Sequence, residues 1–133
     1  MWMGRSLLLG PRVALVTSER QFKAAKKSAG VACDDAMLEP GWNACVHAYD
    51  DAEGNLVCIV ALNLERCRHA SGIDMAALLA HEAVHVWQRV RQRLGPSDLG
   101  MEMEAYAVQN IVGNLMRAYA SITSRSSSCP APG

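Results

Sequence analysis

The ten residues Leu78 to Trp87, LLAHEAVHVW, set two imidazoles and a carboxylate into an otherwise apolar run. A helix turns about 100° per residue, so His81 and His85, four positions apart, project from one side about a turn from each other. That spacing lets two ring nitrogens reach one ion. Glu82 is rotated beside them, badly placed to ligate the same ion but well placed to take a proton from a water held there. The plain alternative is a core helix that happens to carry two histidines. At this chain's His and Glu frequencies the pattern arises by chance about once in 150 such sequences. Ala80, Ala83, Val84, Val86 and Trp87 surround the three groups and imply partial burial, where an unpaired polar side chain costs roughly 1–3 kcal/mol. One divalent metal satisfies both rings at once, and the metal reading is preferred.

The stretch is the His-Glu-x-x-His pattern of zinc peptidases. A catalytic zinc needs a third protein ligand and an open position for water. No histidine follows His85, which excludes the three-histidine pattern of the metzincins. His69, in the charged loop ERCRHAS, and His47, in a β-rich run, read as surface and strand residues. The remaining source is Glu102-Met103-Glu104-Ala105-Tyr106. With HEAVHVWQ as its other half, this stretch resembles the gluzincins, the thermolysin-like zincins, and above all their minimal one-domain members of phages and prophages. Those follow the histidine helix with a second one carrying the ligand as Glu-x-x-small-polar. The resemblance runs from about Ile73 to Tyr119 and says little about the first forty residues.

That resemblance implies a small zincin-like α+β domain, a Zn2+ cofactor held by His81, His85 and Glu102, and hydrolysis of a peptide or protein substrate with Glu82 as general base and acid. Its spacing selects Glu102 and turns Ala105 and Gly113 toward the histidine helix. Glu104 stays open as a second candidate ligand, because it lies on the apolar seam of Met101, Val108, Ile111 and Leu115, where an unpaired carboxylate is expensive. Tyr106, a turn beyond Glu102, is a candidate to bond the ligand or a developing oxyanion, and Gln109 shares its flank. A strand beside the histidine helix would pair with extended peptide. The alternative function is a non-catalytic phage assembly or regulatory module with a structural zinc, which would close its coordination with a fourth ligand from His47, His69 or Cys67. Trp42 and Trp87 would then mark an exposed apolar patch.

The elements that must position these groups are also legible. Ser71 and Asp74 both suit a helix start, and the helix they open runs to about Leu94, stopped by Gly95-Pro96. A second helix is expected from about Ser97 or Asp98 to about Ser121. Upstream, NACVHAY (residues 43–49) and NLVCIVALN (residues 55–63), joined by DDAEG, read as a β-hairpin whose second strand is apolar enough to be covered on both faces. A short surface helix is expected at SERQFKAAKKS, residues 18–28, ended by Gly30. The fold expected is therefore a β-hairpin or small antiparallel sheet packed on the histidine helix and the helix after it. One domain over residues 1–122 and a disordered Ser- and Pro-rich tail over 123–133 complete the picture.

Size and charge narrow the rest. A chain of 133 residues, half of them hydrophobic and a fifth charged, fits one globular core. Thirteen basic side chains offset thirteen acidic ones, so no summed field favours nucleic acid. Arg89, Arg91 and Arg93 read as the solvated end of a helix, where cations suit the dipole. No stretch approaches the ~20 apolar residues that cross a bilayer. The opening MWMGRSLLLGPRVALV lacks the build of a signal peptide, so a cytoplasmic location is expected. Five cysteines at irregular spacing, with no Cys-x-x-Cys pair, read as small buried thiols, although Cys45 and Cys58 could meet across the hairpin.

Overall fold

The computed structural model describes Trp2, residues 11–95 and 100–127, with side chains through Arg125. Within them the order is β1 (Arg12–Val16), α1 (Glu19–Ser28), β2 (Ala44–Asp50), β3 (Leu56–Leu62), α2 (Gly72–Leu94) and α3 (Met101–Ser127). This is a small α+β domain. The three strands form one mixed sheet in the order β1-β3-β2, with β3 antiparallel to β2 and parallel to β1.

The hairpin follows the expectation, and a third strand is added to it. RVALV at the start of the described chain carries too little alternation to declare itself alone. It becomes a strand because apolar β3 offers it a partner, in the register Ala14 to Ile59 and Val16 to Ala61. The β3 sequence LVCIVAL is central, so both its faces are covered. Cys58, Val60 and Leu62 join Val13 and Leu15 against α2 and α3 on one side. Val57, Ile59 and Ala61 join Ala14, Val16 and Phe22 of α1 on the other. The molecule is thus three layers deep, with α2 over β2 and β3, and α3 reaching β1.

The first two helices start where a polar side chain can accept an amide. Ser18 caps α1 by accepting from Gln21 N. At α2 both sequence candidates are used together: Ser71 Oγ accepts from Asp74 N while Asp74 Oδ2 accepts from Ser71 N, a reciprocal cap worth about 1 kcal/mol. Gly95 ends α2 at φ 70, a left-handed value that strains any residue with a Cβ.

The face of α2 that carries Met75, Leu79, Ala83, Val86 and Val90 is buried, each large side chain contributing roughly 1.5–3 kcal/mol. Ile111, Leu115 and Ala118 of α3 close the same core. The expected start of α3 at Ser97 or Asp98 lies outside the described residues. Its end is later than expected: the helix continues to Ser127, so residues 123–127 are not disordered. Thr123 Oγ1 and Ser124 Oγ donate back to carbonyls of the preceding turn, which lets a hydroxyl-rich segment stay helical. The rest of the expected tail, residues 128–133, lies outside the described residues.

Candidate active site

At 100° per residue, His81, His85, Gln88, Arg89 and Gln92 occupy one arc of α2, of about 100°, beside the buried face. They look onto β2 rather than onto α3. Together with Trp42, Ala44 and Val46 they line a cavity of about 480 Å³. Its walls are one helix and one edge strand.

The two imidazoles meet at this cavity, both exposed rather than part-buried as their apolar neighbours implied. Their Nε2 atoms are 3.1 Å apart, and two nitrogens bound tetrahedrally at 2.0–2.1 Å from one zinc would stand roughly 3.3 Å apart. The ring edges are already at ligand spacing. Gln88 Oε1 lies 2.9 Å from His85 Nδ1, and an amide oxygen only accepts, so Nδ1 carries the proton and the Nε2 lone pair accepts from His81 Nε2–H, a proton that an ion between the rings would replace. Glu82 sits on the buried side of the pair with 3% of its surface exposed. Its Oε2 has no hydrogen-bond partner among the described residues. Burial raises the Glu82 carboxyl above the usual carboxylate range, with His81 and His85 pulling the other way. A buried carboxyl oxygen left without a donor costs about 1–3 kcal/mol, and a water at an ion between the rings would supply the donor. The residues present therefore fit a divalent ion on two of its sides and a proton acceptor beside it.

The α3 residues are elsewhere. Arg91 Nη1 contacts Glu104 Oε2 at 3.4 Å, which sets the register of the antiparallel α2–α3 pair. Glu104 is therefore the paired carboxylate of the two, as its half-buried seam position requires. By that register Glu102 lies opposite Arg93, about 12 Å along the helix axis from His85. Glu102 is exposed and Tyr106 is 62% exposed; neither lines the cavity. Among the described residues no three His, Cys, Asp or Glu side chains come together as a metal cluster. Gly113 does not serve close helix approach: the nearest atoms a Cβ there would meet are those of the Arg117 guanidinium on the same helix, at 3.5–3.7 Å.

The other sequence candidates separate as well. His47 projects to the opposite side of the sheet, where its ring packs on Phe22. His69 is exposed and accepts from Arg68 Nε, while Cys67 is buried in the core of the α2 layer. None of the three reaches the imidazole pair. Cys45 pairs with Ala61 and Cys58 with Ala48, so the two thiols lie on opposite faces and remain free. Trp87 is buried at 6% and Trp42 is half exposed at 52%, so they do not form one surface patch.

Gln88 and Gln92 are lining residues without a reading in the sequence, while Trp42, read as part of a surface patch, and Arg89, read as a solvated helix end, line the cavity as well. Gln88 and Arg89 stand three and four positions after His85, so helical spacing alone could have found them. Trp42 is brought there only by the fold.

Comparison with family models, with curated proteins and with solved structures returns no match. No helix among the described residues is long and apolar enough to cross a membrane.

Proposed function

We propose that this chain is a zinc-dependent metallopeptidase of the minimal gluzincin-like, phage or prophage kind. The observation that carries the reading is the pair of Nε2 atoms 3.1 Å apart beside a buried carboxyl oxygen with no partner. His81 and His85 hold the metal. Glu102 is assigned the third position by the resemblance of the sequence to that family; because the imidazoles look onto β2, its ligation would require α3 both to slide along α2 and to turn toward the β2 side. Bound there, zinc would polarise a peptide carbonyl and acidify a water.

Glu82, buried beside the imidazoles with one oxygen unpartnered, would take the proton of that water and return it to the leaving amine. Gln88 holds the His85 ring in the ligating tautomer. The edge of β2 beside the cavity would hold an extended substrate by backbone hydrogen bonds. Tyr106 is assigned to the oxyanion on the same footing as Glu102 and would move with it. A cytoplasmic location goes with this reading, because the four described cysteines are free thiols, as a reducing compartment keeps them. The alternative, a structural zinc in a phage assembly or regulatory module, has no fourth ligand to draw on in His47, His69 or Cys67.

The test is zinc content by elemental analysis together with peptide hydrolysis. Glu82→Gln should retain zinc and lose about 10²–10⁴-fold in hydrolysis. Glu102→Ala should lose zinc and Glu104→Ala should keep it. A protein that binds no zinc under zinc-replete conditions, or a Glu82→Gln variant that cleaves as the wild type does, overturns the reading.

A further inference from the structure

The cavity at the histidines does not stop there. A second one, of about 370 Å³, is lined by Ala48, Tyr49, Asp50, Leu56 and Arg93, and shares Arg89 and Gln92 with the first. The two make one groove between α2 and β2, running from Trp42 past the imidazoles toward the end of the helix. Helix and strand run the same way along it, because residues 81–85 face residues 44–46 at one end and Arg93 bonds Asp50 at the other.

Two features say what the groove takes. The first is the strand. β2 is an edge with β3 on one side only, and folded proteins usually guard such an edge with lysine, proline or a bulge. ACVHAYD has no lysine and no proline, and it pairs residue for residue with β3 from Ala44 to Asp50 without a bulge. Cys45 turns its thiol to the opposite face, toward Met37 O, yet it lines the cavity, so the strand presents its backbone there. An extended peptide is the occupant such an edge accepts.

The second feature is charge. Three arginines follow His85 on α2, and two are engaged: Arg91 with Glu104, and Arg93 with Asp50 and Gly54 O. Arg89 precedes both, at the junction of the two cavities, and its one side-chain hydrogen bond among the described residues is to the neutral amide of Gln92 at 3.4 Å. The other charged groups of the groove are Glu82, buried under the imidazoles, and the Arg93–Asp50 pair, which compensates itself. Arg89 thus leaves one uncompensated positive charge in a groove shaped for a strand.

We infer that Arg89 is a specificity-determining residue that selects an acidic side chain of an extended peptide lying along β2. Arg89 is four residues past His85, a rise of about 6 Å along the helix, and an extended peptide advances about 3.3 Å per residue. The selected Asp or Glu therefore sits about two residues from the bond at the histidines. This rests on the peptidase reading for the position of the cut, while the acid preference itself requires only the groove.

The test uses the full chain loaded with zinc and a C-terminally amidated random decapeptide library, so that carboxylates come from side chains alone. Cleavage products are sequenced by mass spectrometry, and peptides retained on immobilised Glu82→Gln protein are sequenced in parallel. The expected result is an enrichment of Asp and Glu about two positions from the cut, amounting to about tenfold in kcat/KM over Gln at that position. That enrichment disappears in Arg89→Ala and turns to Lys in Arg89→Glu, both with wild-type zinc content and melting temperature.

If nothing is cleaved but acidic peptides are still retained in an Arg89-dependent way, the groove proposal stands and the peptidase reading falls. If cleavage or retention shows no acid preference, or a preference that Arg89→Ala leaves intact, the proposal is overturned. Should Arg89→Ala fail to fold, Arg89→Lys, which keeps the charge, must keep the preference, and its loss there overturns the proposal too.

Discussion

Two histidine clusters sit on opposite sides of the sheet, and they are built in opposite ways. On the α1 side, His47 Nε2 is 2.7 Å from Met37 O, Tyr49 donates to Asp35 Oδ2 at 2.5 Å, and Lys26 Nζ donates to Cys33 O at 2.7 Å. Every member has a partner. On the α2 side, His81 and His85 have mainly each other, and buried Glu82 has an oxygen with none. The first cluster also places a thiol beside an imidazole, Cys45 Sγ at 3.3 Å from His47 Nε2, which looks like a nucleophile and its base. It cannot act so: Nε2 faces a carbonyl and must carry a proton there, and burial pushes the Cys45 thiol up to about 11. Satisfied polar groups hold a loop to a sheet. Chemistry is better sought where a buried group is left wanting.

The contrast can be broken most severely at His85. His85→Ala should abolish stoichiometric zinc binding, a larger loss than the ~10–100-fold expected when an outer partner is removed, while leaving the melting temperature of the metal-free protein near wild type. Equilibrium dialysis with zinc measures the first and calorimetry the second. Gln88→Ala should lower zinc affinity by ~10–100-fold, with Gln88→Glu restoring most of it because a carboxylate also accepts from Nδ1; competition with a chromogenic chelator reads both.

On the other side, His47→Ala should cost about 1–3 kcal/mol, since it leaves Met37 O only the weak Cys45 thiol as donor and strips Phe22 of a ring contact, and should leave zinc affinity unchanged. Urea unfolding decides; a variant that keeps its stability and loses zinc would reverse the two clusters' roles. The smallest effect is at Asp35, whose carboxyl is held down at about 2 by the Cys33 thiol and the Tyr49 hydroxyl. A carboxyl depressed by folding contributes stability above its unfolded value near 3.9 and loses it as pH falls toward about 2. Asp35→Asn should flatten that part of the stability-against-pH curve, with its loss of stability greatest at neutral pH and vanishing as pH falls toward about 2, where the wild-type carboxyl is protonated as well.

The histidine helix was legible because its signals are local. The His81–His85 spacing, the apolar positions of the buried face, the Ser71–Asp74 cap and the Gly95 stop all lie within one or two turns of what they control. The hairpin is local in the same sense. β1 was not legible, because RVALV becomes a strand only by pairing across more than forty residues with β3. The placement of α3 was not legible either. Two glutamates two positions apart satisfy the same sequence pattern, and the pairing of Glu104 with Arg91 is a matter of how far one helix slides along another.

By itself the sequence determined that two imidazoles and a carboxylate stand together on one helix, since a 3.6-residue repeat allows no other arrangement once the helix forms. Only the tertiary structure decided that Glu82 is the buried one of the three, that β2 rather than α3 faces the pair, and that of Arg89, Arg91 and Arg93 the first has no carboxylate among the described residues. Those outcomes depend on which surfaces the sheet covers. Coverage is set by long-range packing, and no local spacing encodes it.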